Sequence, residues 1–207
     1  MDKISSINFK AKPVNTINVY KRKEKENVFE PLKTTFVKIE PDNLRDMRAI
    51  NYAAKKWEDA KYMQRIATNS HWNNSVPMEF YALTTQTGNF NHLNYEQILG
   101  FAEMRPDANL KDFTSLYYLQ VKPEAINIFN SPNNTYKRVG SSMITSLKKL
   151  YKNIALFSED SPYLFKFYKT NKFIKDYDHR TRFLWSSNPL TKLKILYRNW
   201  CRQKCIF

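Results

Sequence analysis

The sequence predicts an α/β protein, in which strands and helices alternate around one mixed, twisted sheet. Short apolar runs rich in β-branched and aromatic residues alternate along the chain with segments whose apolar residues recur at helical spacing. The 207 residues, 42% of them hydrophobic, suffice for one good core. No apolar run is long enough to cross a bilayer. We therefore expect one folded domain.

The N-terminal part is expected to supply an arm, a strand and two helical segments. Residues 1–30 contain the charged run YKRKEKEN and are predicted to form a flexible basic arm. TTFVKIE, at 34–40, alternates as a half-buried strand does. Pro41 and Asp42 begin a helical region, and a second helical segment is expected over 59–69.

Three strands are predicted in the middle of the chain. EFYALTTQ (79–86) and QILGFAEMRP (97–106) are joined by a polar hairpin loop that contains Gly88. FTSLYYLQVKP (113–123) is the strongest strand pattern and ends at Pro123, because proline cannot donate to a ladder. A polar, Asn-rich loop follows.

Helices and strands alternate in the last third. The segment 139–150 is predicted to be a helix with one apolar face, made of Val139, Met143, Ile144, Leu147 and Leu150. NIALFS (153–158) is a short buried strand, and SPYLFKFYKTNKF (161–173) is a helix capped by Ser161. TRFLWSS (181–187) is expected to be the closing strand.

Residues 188–207 are predicted to form a basic C-terminal helix. Its apolar residues at helical spacing are Leu190, Leu193, Leu196, Tyr197 and Trp200. Two alternatives remain open for this helix: it packs on the domain, covering the open edge of the sheet, or it extends from the domain.

The charge is strongly positive and unevenly distributed. The formal net charge is +15, and residues 135–207 hold 16 Lys and Arg against four Asp and Glu. Such an excess suits a polyanion: RNA, DNA, an acidic membrane face or a phosphorylated cofactor. Solvated surface lysines would give the same count. No RNA-recognition motif or zinc knuckle is present, so nucleic acid is not the favoured partner.

Cysteine and histidine residues are few. Cys201 and Cys205 would share a helix face, which makes neither a disulfide framework nor a metal site. With only three scattered histidines, His71, His92 and His179, no structural metal is expected. A reducing cytoplasm is the expected location.

The stretch NTYKRVGSSMITSLKKLY, at 134–151, places cations, a glycine and two serines just before a helix. Amide groups at a helix start have no partners inside the helix, and the helix dipole places partial positive charge there. Gly140 allows close approach, and Lys137 and Arg138 favour an anion. The alternatives are a phosphate cradle and an ordinary loop with a serine N-cap.

The order of motifs from Gly100 to Trp185 resembles the GNAT family of N-acetyltransferases. A strand of the type L-x-V-x-P is present as LQVKP, at 119–123, ahead of a pyrophosphate loop at 135–142. A buried strand and a helix with Phe167-Tyr168 and Phe173 follow, as in the family. The resemblance implies a mostly antiparallel sheet of about six to seven strands, helices on both faces, splayed central strands and a domain spanning 31–187.

The resemblance also implies acetyl-CoA as co-substrate, no metal, and direct transfer to a primary amine. The implied cofactor-binding residues are Leu119, Val121, Lys137, Arg138, Val139, Gly140, Ser141, Ser142, Ser158, Ser161 and Phe165. The Val121 N–H is assigned to the thioester carbonyl, and Tyr168 to protonation of the leaving thiolate. Glu103 is the candidate base, with Asp112 or a water chain as alternatives, because Gln120 stands where relatives carry glutamate.

Three further positions depart from the family pattern. Arg138 stands where the first loop glycine is usual, Thr135 stands where Arg or Gln is common, and Lys172 replaces the glycine before Phe173. These departures keep open a second hypothesis: a non-catalytic basic protein that binds RNA or an anionic surface on a degenerate GNAT scaffold.

The acceptor is the least defined part of the prediction. In the family the helical pair after the first strand shapes its pocket, and here that region holds Tyr52, Trp57, Tyr62, His71 and Trp72. Such aromatics fit a core equally well. A protein amine, an RNA-linked aminoacyl group and a small molecule all remain candidates, and the protein is expected to be a monomer or a homodimer.

Overall fold

A single mixed sheet carries the helices of the molecule. The computed structural model of the protein describes residues 10–23, 28–57, 77–126 and 134–204. Its strands are β1 (Lys12–Arg22), β2 (Phe29–Ile39), β3 (Glu79–Thr84), β4 (Ile98–Pro106), β5 (Thr114–Val121), β6 (Tyr136–Lys137), β7 (Asn153–Phe157), β8 (Ile174–Lys175) and β9 (Arg182–Ser186). Its α-helices are α1 (Leu44–Lys56), α2 (Val139–Leu150), α3 (Pro162–Thr170) and α4 (Pro189–Lys204).

The strand order in the described residues is β6-β1-β2-β3-β4-β5-β7-β9-β8. Every neighbouring pair is antiparallel except β5 and β7, which run parallel. The predicted class, a mixed and mostly antiparallel α/β sheet, is confirmed. The sheet has nine strands rather than six or seven, because β1, β6 and β8 were not predicted. β9 is the last strand along the chain, as predicted for 181–187, and β8 pairs outside it at the edge of the sheet.

The expectation of a flexible arm is wrong for residues 12–22. These residues form β1, which pairs with β2 along its length, and Val19 is completely buried in it. Lys12, Asn18 and Lys21 are exposed in this strand and hide its alternation. The β-branched Ile17 and Val19 pack against the core. Residues 1–9 and 24–27 lie outside the described part.

Helices cover both faces of the sheet, as expected. α2 and α3 pack on one face, where Met143 and Tyr168 join the largest core cluster. α1 packs on the other face through Ile50, and α4 lies on that same face through Ile195, against β7 and β9. Leu150 departs from the predicted apolar face of α2, since it is 43% exposed at the end of the helix.

Two expectations need a further statement. The helical segment predicted over 59–69 lies outside the described residues. No helix in the described ranges combines the length and the apolar composition that a bilayer crossing requires.

Lys172 ends α3 in a conformation that usually belongs to glycine. Its φ is 61°, in the left-handed region, and its N–H donates to the Lys169 carbonyl at 2.8 Å. The next amide, that of Phe173, donates to the Tyr168 carbonyl at 3.0 Å. This pair of bonds is a Schellman motif, in which glycine is the favoured residue at the left-handed position.

We expect Lys172→Gly to stabilise the protein. A residue with a side chain in the left-handed conformation destabilises the folded state by about 1–2 kcal/mol. Glycine removes this cost, but its greater conformational freedom in the unfolded chain lowers the free energy of unfolding by about 0.4–1 kcal/mol. The net gain of about 0.5–1 kcal/mol should raise the melting temperature by about 1–4 °C. Calorimetry measures it, with Lys172→Ala as control because alanine removes the charge and keeps the Cβ. Equal gains for both variants would contradict the backbone explanation.

Candidate functional site: a gap in the sheet beside a helix start

The central strands β5 and β7 separate after a short stretch of pairing. They pair from Thr114 with Ile154 to Leu116 with Leu156 and no further. On the other side of β5, Leu116 pairs with Met104 and Tyr118 with Glu103, so β5 has one extra residue between them. Tyr117 is therefore a β-bulge, which bends the strand. A gap opens between β5 and β7 from Tyr117 onward.

Amides at the end of β5 point into this gap. The Lys122 N–H donates to the Leu99 carbonyl of β4 at 2.9 Å. In an antiparallel ladder successive residues alternate in direction, so the Val121 N–H, opposite Gly100, turns away from β4. The Leu119 N–H follows the same alternation. Contact of both positions with the cofactor remains a prediction.

The first turn of α2 has unsatisfied donors. Within the described residues, the N–H groups of Val139, Gly140 and Ser141 have no hydrogen-bond acceptor. Arg138 is the N-cap and its side chain caps nothing. By contrast, α1 is capped by Asn43, whose side chain accepts from two amides of its first turn. α2 therefore presents the free amides and the positive dipole end that an anion needs.

The expected role of the Ser142 amide needs correction. This N–H donates to the Arg138 carbonyl at 2.8 Å as an ordinary helical bond. Ser142 is buried, and its hydroxyl donates to the Asn18 carbonyl of β1 at 3.1 Å. The donor set at the helix start thus ends at Ser141.

The helix start and the gap adjoin each other at Gly140. A Cβ at this position would lie 3.1 Å from Cζ of Phe167 and 3.7 Å from Cγ1 of Val121. Gly140 thus brings the first turn of α2 close to the end of β5, and a side chain there would press on the Phe167 ring. Gly140 and Ser141 are partly exposed and Arg138 is exposed, whereas Val139 is buried.

Cations surround the helix start, but not in the expected arrangement. The Lys137 ammonium lies 3.7 Å from the centre of the Phe29 ring, and the Arg22 guanidinium lies 5.3 Å from it. Lys137 thus stacks on the β1–β2 hairpin instead of pointing at the amides. The Arg138 guanidinium lies 5.1 Å from the Tyr20 ring. Because residues 12–22 were expected to belong to a flexible arm, the contact between Arg138 and Tyr20 of β1 was not predicted.

Arg138 itself has a φ of 65°, which again is the conformation glycine favours. Arginine thus occupies the usual glycine position of the loop with the backbone geometry that a glycine would adopt. The left-handed residue turns the chain sharply from β6 into α2 and leaves the first amides pointing outward.

Solved structures of similar fold are acetyltransferases. One from an Exiguobacterium species is 12% identical, with a TM-score of 0.49, over 74% of this chain and 93% of its own. A GNAT-family enzyme from Staphylococcus aureus is 14% identical, with a TM-score of 0.43, over 74% and 99%. PseH from Campylobacter jejuni, solved with acetyl coenzyme A, is 15% identical, with a TM-score of 0.42, over 70% and 93%. No protein-family model and no curated protein matches the sequence.

The likeness to these structures concerns the fold alone. The separation of β5 from β7 corresponds to the splayed central strands that the sequence resemblance implied. The described part of the chain is a mixed, mostly antiparallel α/β sheet with helices on both faces.

Tyr168, the predicted proton donor, lies on α3 and belongs to the largest core cluster. It is 9% exposed, and its ring packs against Phe167, Phe173 and Phe183 with centroids 5.1, 5.9 and 5.6 Å away. Within the described residues its hydroxyl has no hydrogen-bond partner. Burial, and then the charge of Glu159, raise the pKa of Tyr168 to about 12. The phenol therefore keeps its proton at neutral pH.

Glu103 lies on the opposite face of the sheet from Tyr168, the face that α1 covers. It is fully buried, and its Oε1 is paired to the Arg105 guanidinium. Its Oε2 has no partner in the described part of the chain. Burial raises the pKa of the Glu103 carboxyl, and Arg105 opposes that rise. On the same face the Tyr118 hydroxyl donates to Oε1 of Gln120 at 2.9 Å.

Three other predicted cofactor residues are engaged inside the protein. The Ser158 N–H donates to the Thr181 carbonyl at 2.9 Å, and its hydroxyl donates to the Glu159 carbonyl at 2.9 Å. Ser161 is the N-cap of α3 but makes no side-chain cap bond. The Phe165 ring packs edge-on against Phe183 at 5.3 Å. Their predicted contacts with the cofactor remain predictions.

The aromatic residues expected near the acceptor divide into separate environments. Trp57 is 3% exposed and belongs to the core under α1. Tyr52 lines an open depression of about 350 Å³ together with Lys55, Lys56 and Tyr95. Tyr62, His71 and Trp72 lie outside the described residues. In the described ranges no group of three His, Cys, Asp or Glu side chains is placed to hold a metal ion.

The guanidinium of Arg138 can be tested separately from its backbone. Arg138→Gly and Lys172→Gly each remove one positive charge and place glycine at a left-handed position. We expect only Arg138→Gly to weaken coenzyme A binding, by about tenfold, because a charge-assisted hydrogen bond contributes about 1.5–3 kcal/mol and partial exposure reduces it. Isothermal titration measures both dissociation constants. Equal weakening would mean that net charge, and not position, controls affinity.

Proposed function

We propose that this protein is an acetyl-CoA-dependent N-acetyltransferase that moves an acetyl group to a primary amine by direct transfer in a ternary complex. The observation that carries the proposal is the row of unsatisfied amides at Val139, Gly140 and Ser141, which adjoins the gap beside Val121. A diphosphate needs such donors, and an extended arm bearing a thioester needs such a gap.

In this proposal the diphosphate lies on the first turn of α2, with the Arg138 guanidinium beside it. The pantetheine arm enters the gap between β5 and β7 and runs along Leu119. The Val121 N–H then donates to the thioester carbonyl oxygen, where negative charge develops during transfer. The gap holds amine and thioester together, which supplies much of the rate increase.

Transfer requires one bond to form, one to break and two protons to move. The amine nitrogen attacks the carbonyl carbon, the new C–N bond forms, and the C–S bond breaks. The leaving thiolate takes the proton of Tyr168, which its raised pKa keeps in place until then. The ammonium form of the acceptor loses one proton to solvent before attack. After the C–N bond forms, the nitrogen loses its second proton, and we assign the uptake of that proton to Glu103 through water, since Gln120 cannot accept it. Solvent then takes the proton from Glu103 and returns one to Tyr168.

The positive surface limits the acceptor. With a net charge of +15 the protein repels polyamines and attracts acidic molecules. The amine therefore belongs to an acidic protein, an RNA-linked aminoacyl group or a small molecule that also carries phosphate or carboxylate.

Thermal unfolding with acetyl-CoA tests the proposal. A ligand that binds only the native state stabilises it by about 2.7 kcal/mol at a hundred times its dissociation constant. We expect a saturable rise in melting temperature that survives added salt, followed by acetylated products detectable by mass spectrometry after incubation with cell lysate. An equal, salt-sensitive rise with tripolyphosphate or heparin would support the non-catalytic polyanion binder instead.

Tyr168→Phe removes the proposed proton donor and keeps the packing of the ring. We expect the turnover number to fall about a hundredfold, at the lower end of general acid catalysis, with little change in acetyl-CoA affinity. Tyr177→Phe, at a residue that is 52% exposed, is the matched control and should keep full activity.

The pH profile gives a second test of Tyr168. With a pKa of about 12, Tyr168 ionises only near that pH and remains a proton donor well below it. A phenol with the ordinary pKa would ionise at about pH 10. Turnover of the native protein should therefore show no tyrosine-dependent decline through that lower range. A decline that Tyr168→Phe abolishes would contradict the assigned environment.

A further inference from the structure

The C-terminal helix α4 directs its apolar residues away from the protein. Ile195 is 5% exposed and joins a small core cluster with Ala155 and Leu184. The remaining large apolar residues are between 50% and 68% exposed, and we call them the apolar stripe: Leu190, Leu193, Leu196, Tyr197 and Trp200. The helix thus exposes more apolar surface than it uses to pack on the sheet, and exposed apolar stripes of this kind indicate a binding surface.

Polar contacts fix the orientation of α4. Arg198 Nη2 lies 3.0 Å from the buried carboxylate of Asp176, and Arg202 Nε lies 3.2 Å from Asp178. The Asn199 amide donates to the Lys175 carbonyl at 2.8 Å. These contacts hold the face of Arg198 and Asn199 against the domain, so the apolar stripe must face outward.

The charges on α4 are entirely positive. The helix contains no Asp or Glu, and its two arginines are paired with Asp176 and Asp178. Lys192, Lys194 and Lys204 have no carboxylate within ion-pair distance in the described residues. At 3.6 residues per turn, Lys192 and Lys194 fall on opposite sides of the apolar stripe, and the Lys204 ammonium lies 4.3 Å from the Trp200 ring. Lysines therefore border the stripe on both sides.

We propose that α4 binds an anionic lipid surface, lying in the headgroup region with the apolar stripe toward the acyl chains. An interfacial helix of this kind combines Leu and Trp on one side with lysines that reach back to lipid phosphates. Each lysine near such a surface adds electrostatic attraction. This inference is independent of the acetyl-transfer proposal, because no residue of α4 belongs to the candidate site.

Charge decides between the possible occupants of the stripe. A second copy of the chain, packed stripe to stripe, would bring the lysines of both helices together with no acidic residue of α4 to offset them. RNA would use the lysines but leave three leucines exposed. An anionic lipid surface satisfies both the apolar stripe and the cations beside it. Docking through α4 also keeps the α2–α3 face, with the unsatisfied amides, on the side of the sheet away from the lipid.

Vesicle flotation with the whole protein tests the inference. Vesicles of phosphatidylcholine alone and of phosphatidylcholine with phosphatidylserine are compared. We expect binding only with phosphatidylserine present, and at least about a tenfold loss for the double variant Leu193→Ser, Trp200→Ser. The matched control is Leu150→Ser, Phe157→Ser, which removes exposed apolar side chains outside α4 and should bind like the native protein.

A second pair of variants tests the charges. Lys192→Gln, Lys194→Gln should weaken binding to the anionic vesicles, whereas Lys166→Gln, Lys169→Gln on α3, with the same loss of charge, should not. Thermal unfolding and circular dichroism show whether each variant is folded. Trp200 supplies a further measurement: its fluorescence should shift to the blue with anionic vesicles, and Trp200→Phe should remove that shift.

Three results would overturn the inference. The first is equal vesicle binding by the stripe variant and its control, which would show adsorption by charge alone. The second is a dimer in light scattering that the stripe variant converts to monomer, without vesicle binding. The third is retention on RNA, but not on vesicles, that depends on the α4 lysines.

Discussion

One extra residue in β5 determines the geometry of the whole candidate site. The bulge at Tyr117 bends β5 away from β7 while its pairing with β4 continues to Val121. Amides in the middle of a sheet are normally paired, and leaving them unpaired in a buried place costs free energy. A protein that keeps such a gap in its central strands gains from it only when another polar group enters. In the proposed function, the gap that follows the bulge is the path of the pantetheine arm.

The start of α2 gives the second half of the same site. A capping side chain, like Asn43 on α1, would satisfy its first amides and remove their affinity for an anion. Arg138 cannot cap in this way, and its left-handed backbone leaves the amides of Val139, Gly140 and Ser141 outward. Helix start and strand gap meet at Gly140, where a side chain would press on the Phe167 ring. The two features are therefore one continuous surface.

Local patterns in the sequence predicted the elements that build this surface, while pairing between distant residues decided the rest. The apolar runs of β5 and β7 and the helical spacing of α2 are strong local patterns. The two-residue strands β6 and β8 have none, because only their partners β1 and β9 define them. Periodicity in α4 predicted an apolar face but could not show that Ile195, off that face, packs on the sheet. Likewise no pattern around Glu103 distinguishes complete burial from exposure.

The departures from the family pattern bear directly on whether the scaffold has lost its function. Arg138 and Lys172 stand where the family pattern has glycine. If the scaffold were degenerate, we would expect the backbone of these two turns to have changed as well. Instead Arg138 and Lys172 both hold φ near 60°, at a cost in strain that the surrounding structure must offset. The turn into α2 and the turn before Phe173 are thereby preserved without glycine. In the proposed function, the left-handed Arg138 directs the chain into the helix start that holds the diphosphate. A purely electrostatic surface would have no need of such a strained turn.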